Sequence, residues 1–140
     1  MACASEILDG DDSRLLAEGT LLTAECARAC VACTYACLAE REVEDLRRCV
    51  RLTLDCADTC EAAGRLLLRP QEPDRELLQH LLDAVTIACR ACATECGRHA
   101  ARFEHCGACH EVCARCAAAC ACLREALARV PPEPRSHHDA

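Results

Sequence analysis

Aromatic side chains are almost missing from this sequence. Tryptophan is absent, and Tyr35 and Phe103 are the only two rings of that class among 140 residues. A domain of this size normally draws part of its buried area from such rings, so its interior must be built from Leu, Ala, Val and Cys. Glycine and proline are scarce, five of each, and most fall at the margins of long helix-favouring runs. Positive charge is in deficit: the formal net charge is −7, which argues against nucleic acid or an anionic membrane surface as a partner. No uninterrupted run approaches the roughly 18 apolar residues of a membrane span. Residues 1–12 show no basic n-region, apolar h-region or twin arginine. The expectation is a cytoplasmic protein, where thiols stay reduced and metal binding is favoured over disulfides.

What the chain has instead is cysteine, seventeen residues of it. Reduced cysteine packs as a small hydrophobe, so packing alone could account for some of these, and their spacing has to decide. Pro70 and Pro73 bracket one connection, and Pro131, Pro132 and Pro134 open a polar tail. Between these marks the pattern predicts helices over Thr20–Ala39, Glu42–Leu68, Asp74–Arg98 and Glu104–Val130, with Asp74 as an N-cap. A short extra helix is expected around Asp12–Glu18, lying across one end. The predicted class is all-α, an antiparallel four-helix bundle over residues 20–130, preceded by an N-terminal segment (1–19) and followed by a disordered tail (131–140).

The cysteines recur at alternating steps of 3 and 4, the mark of an inward seam. The fourth helix carries Cys106, Cys109, Cys113, Cys116 and Cys120, continued by Leu123 and Leu127. The third reads Leu78, Leu82, Val85, Cys89, Cys92, Cys96, His99. The second carries Cys49, Thr53, Cys56 and Cys60, and the first Cys26, Cys30, Cys33 and Cys37. Fifteen of the seventeen thus face one core; Cys3 and Cys122 fall outside the pattern. Thr53 takes a thiol's place and is expected to satisfy its hydroxyl on a backbone carbonyl.

Residues at i and i+4 have Cβ atoms about 5–6 Å apart, and two metal–thiolate bonds of roughly 2.3 Å each let one ion bridge such a pair. Helix rise makes the column from Cys106 to Cys120 about 21 Å long, room for many ions. All-thiolate ligation selects Cu(I), Zn(II) or iron–sulfur clusters. The Cys-x-x-Cys pairs lie inside helical runs, not in zinc knuckles, and iron–sulfur spacings are absent. Cu(I) accepts two or three sulfurs and a thiolate can bridge two ions, which predicts on the order of 15 Cu(I) per chain. Each Cu(I) cancels one thiolate charge, and so answers the cost of burying thiolates. The alternative is a general soft-metal (zinc) thiolate buffer. A thiol-redox enzyme would need one exposed, activated cysteine; no Ser/His/Asp set, phosphate loop or carboxylate pair is visible, and the chain reads as a non-enzyme.

The stripes are apolar at the end where the second helix joins the third, and Leu15, Leu16, Leu21 and Leu22 are expected to plug that end. At the opposite end stand His99 and His105, with His110 flanking the stripe, as candidate ligands where copper enters; Glu40, Glu42, Glu95 and Glu104 are expected there to attract cations. His80 is expected at the surface, and His137 and His138 lie in the tail.

With Ala24-Glu25-Cys26 through Cys37-Leu38-Ala39-Glu40, Cys49-Val50-Arg51-Leu52 to Cys56-Ala57-Asp58-Thr59-Cys60, Cys92-Ala93-Thr94-Glu95-Cys96-Gly97-Arg98-His99 and His105-Cys106-Gly107-Ala108-Cys109 in view, the chain resembles the bacterial four-helix-bundle copper storage proteins over about residues 20–127. The resemblance implies Cu(I) storage, a homotetramer, the cytosolic branch of the family, histidines at the mouth, and a copper chaperone as possible donor. It departs from cysteine-richer relatives at Leu22, Leu82 and Val85, and at Thr53, where an acidic residue can occur.

Overall fold

A computed structural model of the chain describes residues 9–69 and 74–129. Four long helices make up nearly all of it: α1 (Asp9–Leu38), α2 (Arg47–Leu68), α3 (Arg75–His99) and α4 (Glu104–Arg129), with a 3₁₀ turn over Val43–Leu46 leading into α2. Each helix packs against the next in sequence, and α4 closes the ring against α1. The short joins reverse the chain direction each time, as an up-and-down bundle requires.

Local chemistry accounts for the ends. The Asp74 carboxylate accepts from the Leu77 amide at 2.9 Å and starts α3. Arg69, which precedes Pro70, is extended (φ −64°, ψ 137°), because the proline ring clashes with a helical residue before it, and α2 stops there. At the α3–α4 corner the Phe103 amide donates to the His99 carbonyl at 2.9 Å, and the Cys106 amide to the Phe103 carbonyl at 3.1 Å. The Phe103 ring is buried and seals that corner.

The helix expected near Asp12–Glu18 is present, but as the first turns of α1, not as a separate element across the end. Nothing breaks the helix between the two: the Thr20 and Thr23 hydroxyls donate back to the carbonyls of Leu16 (2.7 Å) and Gly19 (2.8 Å). Helical phase also corrects the leucine plug. Leu15 and Leu22 continue the cysteine stripe and pack on the core, whereas Leu16 and Leu21 point out, Leu21 being 71% exposed. Leu78, Leu82, Val85 and Leu123 fill the closed end as expected. Gly64 lets α1 and α2 approach closely, since a Cβ there would lie 3.1 Å from the Thr23 hydroxyl. Pro70, Pro73 and the segment 130–140 lie outside the described residues, as does Cys3.

Two helices, Asp12–Leu38 and Glu104–Arg129, have windows of mean hydropathy 1.3 and 1.2 and are long enough to cross a bilayer. The sequence reading expected no such stretch. Much of that hydropathy comes from alanine and from the column cysteines, whose side chains are buried among the four helices.

Candidate metal centre

The fifteen stripe cysteines all reach the same interior; none is more than 2% exposed, and all are free thiols. Within helices, i,i+4 pairs bring sulfurs to 3.8 Å (Cys109–Cys113), 3.9 Å (Cys33–Cys37, Cys56–Cys60, Cys92–Cys96) and 4.0 Å (Cys26–Cys30, Cys116–Cys120). Between helices they come closer. Cys56 and Cys89 are 3.4 Å apart, Cys49 and Cys96 3.5 Å, Cys30 and Cys113 3.6 Å. Cys26 touches sulfurs on all three other helices, Cys56 and Cys113 at 3.7 Å and Cys89 at 3.9 Å.

Five groups have all their sulfurs within 4.8 Å of one another, and they overlap in sequence along the bundle axis. Cys33/Cys37/Cys49/Cys106 shares Cys33 with Cys33/Cys96/Cys109, which shares Cys109 with Cys30/Cys92/Cys109/Cys113. That set shares two sulfurs with Cys26/Cys30/Cys56/Cys113, and this one shares two with Cys26/Cys56/Cys60/Cys89. Cys116 and Cys120 extend the run as a pair on α4. A bound soft ion can therefore pass from one set to the next by exchanging one ligand at a time.

Ten of the sulfurs hold their protons more tightly than usual. Burial pushes Cys37 up to about 11 and also raises Cys106. Cys30, Cys33, Cys92, Cys96 and Cys113 are raised chiefly by their interaction with Cys109, and Cys60, Cys89 and Cys120 by theirs with Cys116. The other five are drawn down by the sulfurs around them: Cys109, Cys26 and Cys56 chiefly by Cys113, Cys116 to about 6 by Cys120, and Cys49 to about 3 by Cys33 and then Cys96.

Thr53 sits mid-column as the sequence indicated, donating to the Val50 carbonyl at 3.0 Å. Its hydroxyl also meets that of Thr34 at 2.6 Å, and Thr34 donates to the Cys30 carbonyl at 2.9 Å. The sequence reading missed Thr34; its position four residues after Cys30 was the available signal. Cys122 is buried but lies off the column.

The three candidate histidines part company. His105 aims Nδ1 at the sulfurs of Cys106 (3.5 Å), Cys33 (3.7 Å) and Cys37 (3.9 Å). His99 instead bonds Glu95, Nε2 to Oε2 at 2.8 Å. Glu95, expected to attract cations at the mouth, is buried, and Arg98 (3.3 Å) and Arg48 (3.5 Å) offset its charge. A carboxylate buried among two guanidiniums and an imidazole cannot serve as a lure for copper. His110 Nδ1 donates to the Ala93 carbonyl at 2.6 Å, its ring lodged against Gly97. That bond ties α4 to α3 and commits the ring nitrogen to the backbone. Glu40, Glu42 and Glu104 do gather at the mouth, around a shallow depression with Phe103 and His105. His80 is exposed.

A sequence model of the copper storage protein family matches residues 14–125. An uncharacterized cysteine-rich protein of Bacillus subtilis (strain 168), YhjQ, is 34% identical over 96 residues, covering 69% of this chain and 83% of that protein. Two solved structures of the cytosolic copper storage protein of Streptomyces lividans are each 40% identical. The one carrying five coppers superposes with a TM-score of 0.80, covering 87% of this chain and 99% of that one. The one loaded with ten copper equivalents gives 0.78, covering 85% and 90%.

Proposed function

The chain belongs to the copper storage protein family, and from that premise we propose how its fifteen column sulfurs take up, hold and admit the metal. It is a copper storage protein that binds multiple copper ions through cysteines buried in a four-helix bundle. The observation that carries the proposal is the unbroken overlap of the sulfur sets, from Cys33/Cys37/Cys49/Cys106 to Cys26/Cys56/Cys60/Cys89.

The ligands are Cys26, Cys30, Cys33, Cys37, Cys49, Cys56, Cys60, Cys89, Cys92, Cys96, Cys106, Cys109, Cys113, Cys116 and Cys120. With two sulfurs per ion and two ions per sulfur, the load is on the order of 15 Cu(I) per chain. At neutral pH most of these sulfurs carry protons, so each arriving Cu(I) replaces one H⁺ and the core gains almost no charge. That exchange explains how a column of this size can fill without a charge penalty that grows with the load.

Copper enters at the α3–α4 corner. Glu40, Glu42 and Glu104 raise the local concentration of cations and favour a donor chaperone with a basic face. His105 makes the first contact, since its Nδ1 faces three mouth sulfurs. His99 acts from behind, held by Glu95, and His110 braces the two helices that frame the mouth. The closed end retains the ions behind Leu78, Leu82, Val85 and Leu123.

The assembly is a homotetramer. Supporting this, the outer face of α1 carries Leu21, Val31, Tyr35 and Leu38, each 42–71% exposed, beside an apolar groove shared with Leu68 of α2. Such a stripe on a stable bundle marks a partner surface. The compartment is the cytosol, the station of the Streptomyces lividans protein and one where free thiols persist. On this reading the chain is a store, not an enzyme, and α1 and α4 are bundle helices, not spans.

The test is an anaerobic Cu(I) titration of the reduced protein against a chromophoric Cu(I) chelator. Tight uptake of more than about ten ions per chain supports the many-ion column. Saturation at one to about four ions overturns it.

A further inference from the structure

Among the described residues, a ring nitrogen joins the sulfurs only at the open end of the column. The geometry points to a site for one Zn(II), formed by Cys33, Cys37, Cys106 and His105 Nδ1, that is filled in the copper-free protein and closes the mouth until Cu(I) displaces it. Cys33 and Cys37 sulfurs are 3.9 Å apart, and Nδ1 lies 3.5–3.9 Å from all three sulfurs. A zinc tetrahedron with bonds of about 2.3 Å to sulfur and about 2.05 Å to nitrogen has S···S edges near 3.8 Å and S···N edges near 3.6 Å. The Cys33–Cys37 edge and the three S···N edges already stand close to these separations, and the Cys106 sulfur lies within 4.8 Å of the other two.

The far side of the imidazole supplies a second, independent observation. Among the described residues, His105 Nε2 is the one buried side-chain nitrogen or oxygen with no hydrogen-bond partner. The nearest carboxylate oxygen, Glu40 Oε1, stands 3.4 Å away, out of bonding geometry. Ligation through Nδ1 places the ring proton on Nε2, and a small rotation lets it donate to Glu40. A carboxylate behind a metal-bound histidine is the usual outer support of zinc sites.

Charge separates this site from the deeper ones. Three thiolates and a neutral imidazole leave a zinc centre at −1, near solvent. Four thiolates would leave −2 in the dry interior, and the overlapping sets would have to surrender sulfurs to one ion. Soft Cu(I) needs only two or three thiolates and takes the mouth sulfurs from zinc by ligand exchange, with no change in oxidation state.

The test uses the full-length, reduced, copper-free chain under anaerobic conditions. Zn(II) is titrated against the chelator 4-(2-pyridylazo)resorcinol, and Co(II) is added in parallel as a spectroscopic stand-in. The expected result is one tight zinc per chain and a Co(II) spectrum of tetrahedral three-sulfur, one-nitrogen ligation. His105→Ala is expected to weaken the first zinc at least about tenfold and to alter the Co(II) bands, with far-UV circular dichroism confirming the fold. Glu40→Gln is expected to weaken it about 10–100-fold while leaving the band pattern intact. No tight equivalent, several equivalents of equal affinity, or a His105→Ala variant with unchanged affinity and spectrum overturns the proposal. Copper load of the wild-type chain is read separately, so a protein that fills with copper but refuses zinc refutes this site alone.

Discussion

Replacing Cys26, Cys56 and Cys89 together by serine should split copper loading into two phases. These three sulfurs lie 3.4–3.9 Å from one another on α1, α2 and α3. They also form the connection between the upper column and its deep end. Cys60 meets Cys56 and Cys89 at 3.9 and 3.6 Å, and Cys116 interacts with Cys26, Cys60, Cys89 and Cys120. Removing the trio leaves Cys60, Cys116 and Cys120 outside every four- or three-sulfur set that reaches the mouth. At about one copper per sulfur the equilibrium load falls from about 15 to about 12, and the three stranded sulfurs fill last. Uptake followed by stopped-flow is therefore expected to reach about nine ions quickly and the remaining three slowly. The substitutions themselves are tolerable, because a helical serine can donate to the carbonyl four residues back, as Thr23, Thr34 and Thr86 do here at 2.8–2.9 Å. The control is serine at Cys60, Cys116 and Cys120, which should lose the same three ions in a single phase. Single-phase filling of the first variant to about twelve ions would refute transport along the column. A load that stays near 15 would refute the sulfur count.

Two further outcomes follow from the same geometry. In the unfolded chain thiols ionise near pH 8.5, whereas burial holds Cys37 up to about 11 and raises Cys106; above that pH the unfolded state binds fewer protons than the native one, so stability falls as pH rises. Calorimetry of the copper-free protein should show a lower melting temperature at pH 10 than at pH 7. The copper-loaded form, with no thiol protons to lose, should stay flat, and a flat copper-free curve would contradict the buried-proton picture. Gly97→Ala places a Cβ 3.0 Å from His110 Nδ1 and pushes the ring off the Ala93 carbonyl. A loss of about 1–2 kcal/mol is expected by denaturant titration despite alanine's better helix propensity, and a stabilised variant would show that the ring has room to move.

The column was legible because helical phase is a local property. Steps of 3 and 4 put Cys106 through Cys120 on one face whatever surrounds them, and the same reasoning would have turned Leu16 and Leu21 outward had it been applied to the start of α1. The fold class followed from four such runs and their punctuation, and the closed leucine end from the continuation of the stripes. Asp74 capped α3 as its residue type suggests.

What lay beyond the sequence was everything that depends on how the helices are shifted and rotated against one another. Glu95, His99 and His110 all sit near the mouth in sequence, but only packing decided that Glu95 would be buried beneath Arg48 of another helix, that His99 would be bound to it, and that His110 would lodge on Gly97. The Thr34–Thr53 pair and the grouping of sulfurs into shared sets have the same origin. A residue's face is set by its own helix through 3.6-residue periodicity. Its partners across the core are set by an axial offset of a few ångströms, which no single helix contains and which the close packing of all four fixes at once.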